Sequence, residues 1–437
     1  MFITGSPAGF FKPVGMILLQ RIQHRGRTVD ILVDGPRIAR ISGEPLNVPD
    51  ARTEDCRGKA VVPGFVNMHT HAAMLPLRGI YEDLSLYEWL NRVWKIEAAM
   101  DGDFIYHATR AACLEMIRSG TTTFNDQYWH SPQARRAAVE MGLRPVVSFI
   151  FLDSGSRELA MKQREACRRL YEKSLSWGEE SQLAISVHSV YTVREENIVW
   201  ACDFAREHGL RIHLHVAETV QEDADCRKAH GGLSPVAYFD SLGVWGPDVI
   251  AAHALCLSDE DVAVLGRNRV NCVHNVNSNL KLASGFRFRY RELRDAGANV
   301  CLGTDGAASS NSLDMLEHMK HSALLQKAWR DDPTEFPLQE LVDCATVHGG
   351  RALGLDIGEI REGASADLSI IDLNNSYFLS PAPVLANLVY AANSSVISSV
   401  MARGRWIMKD RVIPGEEDVL SGAAKALTQI KATIYGS

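Results

Sequence analysis

The chain has 437 residues, 46% of them hydrophobic and 23% charged, an average globular balance that excludes disordered, collagen-like and fibrous proteins and leaves room for two or three domains. Its net charge of -7, from 53 acidic and 46 basic side chains, provides no global basic field and argues against a nucleic-acid polymer as partner. No apolar run reaches the roughly 18 residues of a membrane span, the start MFITGSPAGFFKPVGMILL lacks the regions of a secretory signal, and nine cysteines without a CxxC pair suit a cytoplasmic chain with reduced thiols.

Short β-type runs come first, at 15–20, 28–33, 37–41 and 60–62, punctuated by Asp34-Gly35-Pro36, Gly43 and Pro45 as short antiparallel strands are. From Pro63 apolar runs alternate with longer amphipathic stretches. Eight such runs are expected as strands: 61–66, 121–124, 144–151, 183–187, 211–216, 248–252, 270–273 and 299–302. Helical-period stretches separate them, for example 84–100, 104–118, 157–174 and 195–207. This alternation predicts an α/β fold, a (β/α)8 TIM barrel, over residues 63–355. Strand-like texture returns at 366–371, 396–402 and 405–408, with a turn at Gly404, and 418–435 reads as a surface helix. Residues 1–62 and 356–437 are therefore expected to build one small flanking β-sandwich domain from both chain ends, plus the terminal helix.

Of the fifteen histidines, the most informative lie in Val66-Asn67-Met68-His69-Thr70-His71, at the end of the first predicted barrel strand. Side chains two apart on a strand share a face, so His69 and His71 can converge on one cation at the barrel end where such folds place their chemistry. His215 closes the fifth strand, with Glu218 three residues on. His213 shares the face of His215 but lies about 6–7 Å deeper at ~3.3 Å per residue, which reads as a hydrogen-bonded inner-layer residue. His253 ends the sixth strand and Asp305 the eighth. Any one of these would ordinarily be structural; four strand ends each offering a ligand or proton-handling group is not an ordinary pattern. His69, His71, His215 and Asp305 could hold a divalent metal with a position left for water, and such an ion makes hydroxide available near neutral pH. Asp305 could take the water proton, Glu218 could protonate a ring nitrogen, and His253 could orient the attacking oxygen or relay a proton.

The runs PGFVNMHTHAAM, HVAE, IAAH, HNVNSNLKL and LGTDGAASSNSLDM resemble the amidohydrolase superfamily, and more closely its branch of 5'-methylthioadenosine/S-adenosylhomocysteine deaminases and chlorohydrolase-like enzymes. The similarity runs from about residue 10 to about residue 415. It implies metal ligands at His69, His71, His215 and Asp305 and acid/base residues at Glu218 and His253. His188, in LAISVHSVY, matches a nucleoside-contacting histidine; no lysine stands there, which implies a single ion, zinc first, with iron, manganese or nickel as alternatives. Glu97 matches a glutamate that holds ribose hydroxyls. A homo-oligomer is common among such relatives.

Three departures matter. His188-Ser189-Val190-Tyr191 and His274-Asn275-Val276-Asn277-Ser278-Asn279 each lack a proline usual in the branch. Where relatives that accept S-adenosylhomocysteine can use two arginines for its carboxylate, Phe149 aligns with the first and only Arg157 with the second, and an apolar ring does not replace a bidentate arginine. The expected activity is hydrolytic deamination of an adenine nucleoside: 5'-methylthioadenosine, 5'-deoxyadenosine or adenosine ahead of S-adenosylhomocysteine. The alternatives are a deaminase or dechlorinase of a pterin, guanine or s-triazine and, more distantly, a non-catalytic barrel scaffold. Trp89 and Trp94 read as packing, on a segment that could cover the pocket.

Overall fold

A computed structural model describes residues 15–435; the secretory-signal question and the first fourteen residues of the small domain lie outside that range, as do residues 436–437. The chain opens with β1 (Ile17–His24), β2 (Arg27–Asp34), β3 (Arg37–Ser42), β4 (Arg52–Asp55) and β5 (Lys59–Pro63). Strands β1 to β3 pair antiparallel, and Ile17, Leu19, Ile31, Val33 and Ile38 share one buried cluster. Nothing in the sequence marks β4: Arg-Thr-Glu-Asp has no apolar residue to define a face, and main-chain pairing with an Arg21–Asp55 ion pair at 3.1 Å sets it parallel beside β1.

Next come β6 (Phe65–Thr70), β7 (Thr121–Asp126), β8 (Arg144–Phe151), β9 (Gln182–Val187), β10 (Arg211–Val216), β11 (Val249–His253), β12 (Asn271–His274) and β13 (Asn299–Leu302). Each is parallel to its neighbour, and helices such as Leu86–Glu97, Gly102–Arg118, Arg157–Ser174 and Glu195–Glu207 fill the connections. The chain therefore folds as the expected TIM barrel. Its seam lies just past β13, where the amides of Thr304 and Asp305 donate to the His69 carbonyl at 3.1 and 2.9 Å. Val66, Met68, Val146, Ala184, Ile250, Val273 and Cys301 form the inner layer at the opposite end, which the helix Val347–Leu353 covers. Gly349 permits that approach, since a Cβ there would lie 2.6 Å from Val66 Cγ1.

Finally β14 (Leu368–Asp372), β15 (Ile397–Ala402) and β16 (Arg405–Met408) join the strands from the start of the chain in one sheet. Its order is β16-β15-β14-β5-β1-β2-β3, with β4 on β1. Two expectations need correction. The run 61–66 is not one strand: Val61 and Val62 pair with Ile370 and Ser369 in the small sheet, whereas Phe65 and Val66 pair with Thr121 and Thr123 in the barrel. Both halves are buried on either face, so no change of periodicity marks the break at Gly64. The terminal helix, Glu416–Tyr435, is more than a surface element, because Val419, Ala426, Ile430 and Ile434 are buried. Its first turn is tied to the helix Gly102–Arg118 by Arg118–Glu416 and Arg110–Asp418 pairs. All nine cysteines are free thiols. Among the described residues no helix is long and apolar enough to cross a membrane.

Barrel and small sheet share a buried ion pair. Arg144 at the start of β8 donates to Asp367 at 2.8 Å, with side-chain exposures of 7% and 1%, and Asp367 also accepts the Arg403 amide at 2.9 Å. Asp367→Ala strands the guanidinium in the interior, so a loss of about 3–5 kcal/mol of stability is expected. Denaturant unfolding reads it, and an unchanged midpoint would remove the pair from any stabilising role.

Candidate metal and active site

Successive strand ends deliver the reactive side chains to one mouth of the barrel. His69 lies in β6 and His71 one residue past it; His188 follows β9, His215 lies in β10, His253 ends β11, and Asp305 comes three residues after β13. Gly303 lets the last of these strand ends reach the first, since a Cβ there would lie 2.9 Å from the His69 main-chain nitrogen and 2.5 Å from Asn275 Oδ1.

Hydrogen bonds at the outer ring nitrogens set the tautomers. His71 gives its Nδ1–H to the Gln127 carbonyl at 2.6 Å, and His215 gives its Nδ1–H to the His188 carbonyl at 2.8 Å. Both Nε2 lone pairs are therefore left for the cavity. His69 Nδ1 is 2.8 Å from His213 Nε2, so His213 is the inner-layer partner that its depth suggests. His69 Nε2 is buried with no hydrogen-bond partner. Asp305 Oδ1 lies 3.4 Å from that atom and 3.2 Å from His71 Nε2, and the ligand atoms of His69, His71 and His215 all lie within 4.8 Å of one another. An orphaned buried nitrogen among converging lone pairs and one carboxylate oxygen fits a tetrahedral divalent ion. His253 could form a rival group with His69 and Asp305. Its Nδ1, however, accepts from the Asn279 amide at 3.0 Å, so its proton sits on Nε2 and faces the cavity as a donor.

Burial and charge divide the titrating groups. Burial drives His69 and His253 down to about 4, against the opposing pull of Asp305, and His188 down to about 3. Burial also works to lower His71, but hydrogen bonding and charge from Asp305 overcome it and carry His71 up to about 9, a proton on Nε2 that a bound cation would displace. Asp305 would be raised by burial, yet the His69 and His71 imidazoles beside it hold it well below the usual carboxylate range. Glu218 goes the other way: burial first, then the charge of Asp305, push it up to about 8. Its Oε2 lies 3.7 Å from His253 Nε2. Burial likewise raises Glu97 to about 7, while a hydrogen bond from the Tyr128 hydroxyl works against the shift.

His71, Glu97, His188, His215, Glu218, His253 and Asp305 all line one cavity that opens to solvent at its mouth; His69 lies just beneath. The helix Leu86–Glu97 begins at a capping box between Ser85 and Glu88 and presents Leu86, Leu90, Trp94 and Glu97 to the cavity at helical spacing. Trp89 and Trp94, read as packing, thus form cavity wall as well. Arg157 is not brought to the cavity. It is exposed at the first position of its helix, where sequence order says nothing about which way the helix faces. Phe149 lines an adjoining cleft that shares Tyr128, Trp129 and Ile150 with the cavity.

Other residues that build the site carry no individual signal in the sequence. Ser278 donates to Asp305 Oδ2 at 2.6 Å, and the Gly306 amide donates to Oδ1 at 2.8 Å. Asn279 fixes His253, as above. Ser278 and Asn279 belong to the HNVNSN run, which flags the segment without showing what each side chain does. Tyr128, buried and beside both Glu97 and His71, belongs to no motif.

Residues 60–407 match the Amidohydrolase family. The chain is similar to a 5'-deoxyadenosine deaminase of Methanoregula boonei, 39% identical over 434 residues that cover 98% of each chain. It is also similar to 5-methylthioadenosine/S-adenosylhomocysteine deaminase 1 of Archaeoglobus fulgidus, 39% identical over 412 residues, 93% of this chain and 96% of that one. A zinc-bound adenosine deaminase from Xanthomonas campestris superposes with a TM-score of 0.89 at 29% identity, covering 96% of this chain and 99% of that one.

Because Ser278 holds the outer oxygen of Asp305, Ser278→Ala is expected to weaken retention of a divalent ion by about 10–100-fold. Competition with a chromophoric chelator measures this; unchanged affinity would show that Asp305 is oriented without it.

Proposed function

The chain belongs to the amidohydrolase family, and we propose on that footing that it is a hydrolytic deaminase of adenine nucleosides, releasing ammonia and the inosine counterpart. The observation that carries this reading is the composition of one cavity: a three-histidine, one-carboxylate cluster beside two carboxyl groups with distinct tasks, Glu218 and Glu97. The names borne by relatives that share nearly the whole chain point the same way. One ion is proposed, held by Nε2 of His69, His71 and His215 and by Asp305. Zinc is the first choice for such a donor set, and iron, manganese and nickel are compatible with it. When bound, the ion supplies hydroxide at neutral pH.

The residues of the chain do the rest. Glu218, protonated below about pH 8, gives its proton to the ring nitrogen next to the amino-bearing carbon and makes that carbon electrophilic. Asp305, ionised, accepts one proton of the attacking water, and His253 steadies the oxygen through its Nε2–H. As the carbonyl forms, the second water proton returns to Glu218, and the amino group leaves as ammonia with the proton held by Asp305. His188, kept neutral by burial, contacts the nucleoside. Glu97 accepts hydrogen bonds from ribose hydroxyls, a task that favours its ionised form.

For the 5'-substituent we favour a small neutral group, as in 5'-deoxyadenosine or 5'-methylthioadenosine. Phe149 and Ile150 face the cleft next to the cavity, and Arg157 is absent from it. The cations on that cleft, Arg169 and Lys173, are exposed on the outer helix, and Arg169 is paired with Glu165 at 2.6 Å.

Ammonia release from 5'-deoxyadenosine, 5'-methylthioadenosine, adenosine, S-adenosylhomocysteine, guanine and a triazine tests the assignment. kcat/KM for the first two is expected to exceed that for S-adenosylhomocysteine by about tenfold or more, the worth of one lost charged hydrogen bond. Silence on every adenine nucleoside would overturn the reading. By the same arithmetic, Glu97→Gln should cost a nucleoside about 10–100-fold in kcat/KM and free adenine little; equal losses would remove Glu97 from the sugar. Since Glu218 acts in its protonated form, kcat/KM is expected to fall as pH rises through about 8. Glu218→Gln should retain metal while losing about 10²–10⁴-fold in kcat.

A further inference from the structure

The turn that carries Glu218 is gripped by a second carboxylate with no part in the proposed proton transfers. Strand β10 ends at Val216, and Ala217 adopts φ 51°, a left-handed conformation that residues with a Cβ avoid. This turn sends Glu218 towards His253. Glu222, two residues into the helix Val220–Ala229, is buried. Its Oε1 accepts the Ala217 amide at 3.0 Å and its Oε2 the Glu218 amide at 2.7 Å. Capping does not require this arrangement, because Thr219 already caps the helix through the Glu222 amide at 3.0 Å. Among the described residues no lysine, arginine or histidine pairs with Glu222, and burying an acid without a cation is costly. Burial pushes its carboxyl up to about 7 despite the hydrogen bond from the Glu218 amide. Successive amides at such a turn form a concave anion seat, and here the chain fills the seat from five residues downstream.

We infer that Glu222 is a positioning residue: its carboxylate clamps the Ala217 and Glu218 amides in the left-handed turn that aims the Glu218 side chain at the substrate. The inference rests on the acid role proposed for Glu218. It also explains why a costly buried acid stands where the adjacent threonine suffices for the helix.

The test uses full-length, metal-replete enzyme with 5'-deoxyadenosine and compares Glu222→Gln, Glu222→Asp, each of these combined with Ala217→Gly, and Glu218→Gln. A side-chain amide offers one acceptor to two donors. Glu222→Gln is therefore expected to lower kcat by about tenfold or more, with KM within about threefold of wild type and metal content unchanged. Glycine adopts the left-handed turn without a clamp, so adding Ala217→Gly should recover most of the lost kcat. Wild-type kcat in Glu222→Gln overturns the clamp, as does a loss that tracks metal content or that Ala217→Gly leaves unrepaired. If Glu222→Gln does not fold, Glu222→Asp decides, because its carboxylate is one methylene too short for both amides. A severalfold lower kcat that Ala217→Gly repairs supports the clamp, and a wild-type value overturns it. Activity that survives Glu218→Gln overturns the acid role beneath the inference, whereas loss there with intact Glu222→Gln and Glu222→Asp overturns the clamp alone.

Discussion

The carbonyl of His69 receives the amides of both Thr304 and Asp305, and through it the seam of the barrel and its reactive centre become one piece of structure. The strand that supplies His69 and leads into His71 is bonded to the strand end that supplies Asp305, so the carboxylate cannot drift without opening the barrel. Side chains reinforce the join. Asn67 Nδ2 donates to Thr304 Oγ1 at 2.7 Å while Asn67 Oδ1 accepts the Thr304 amide at 3.1 Å, and Thr70 Oγ1 donates to the Asp305 carbonyl at 3.2 Å. A site fixed this way pays little reorganisation when charge develops in it.

The same constraint accounts for the backbone around the mouth. Ala217, His253, Ala254 and Asp305 all have positive φ, although none is glycine. Each such residue costs of order 1–3 kcal/mol and persists only where its surroundings over-determine it. Here the surroundings can be named. The Ala254 amide donates to the Val216 carbonyl, and those of Leu255 and Cys256 donate to the Ala217 carbonyl, at 2.8–3.1 Å. The left-handed turns of two neighbouring strand ends thus brace each other, and Glu218 and His253 emerge from that brace side by side.

How much of this is legible in the sequence depends on the range of the interaction. His69 and His71 announce themselves because their spacing and their strand are local, and the barrel is legible because each βα unit carries its own pattern. The break within 61–66 is hidden because two different sheets bury equally apolar residues. Strand β4 is hidden because it has no side-chain pattern at all. The supporting polar groups act across distance: Ser278 reaches Asp305 over 27 residues and Asn279 reaches His253 over 26, so no local window joins them. Arg157 shows the converse, since an aligned position fixes the order of residues along the chain and not the direction a helix turns them.

Within the cavity, two carboxyl groups in one field are driven apart by what each is given to bond. Asp305 is held as an anion by the His69 and His71 imidazoles beside it and also receives the Ser278 hydroxyl and the Gly306 amide at 2.6 and 2.8 Å. Among the described residues the Glu218 carboxyl accepts one hydrogen bond, from the Ser284 hydroxyl at 3.4 Å, and burial keeps its proton on. Such a separation assigns base and acid without any difference in residue chemistry. The charge of Asp305 also raises Glu218, which couples their two transfers. While Asp305 is an anion, Glu218 holds its proton; when Asp305 takes a proton from water, the negative charge passes to the hydroxide and, on attack, to the ring nitrogen, which draws the proton from Glu218. The ring nitrogen becomes more basic as the nucleophile attacks, so the two transfers are coupled through the electron pair that the hydroxide brings.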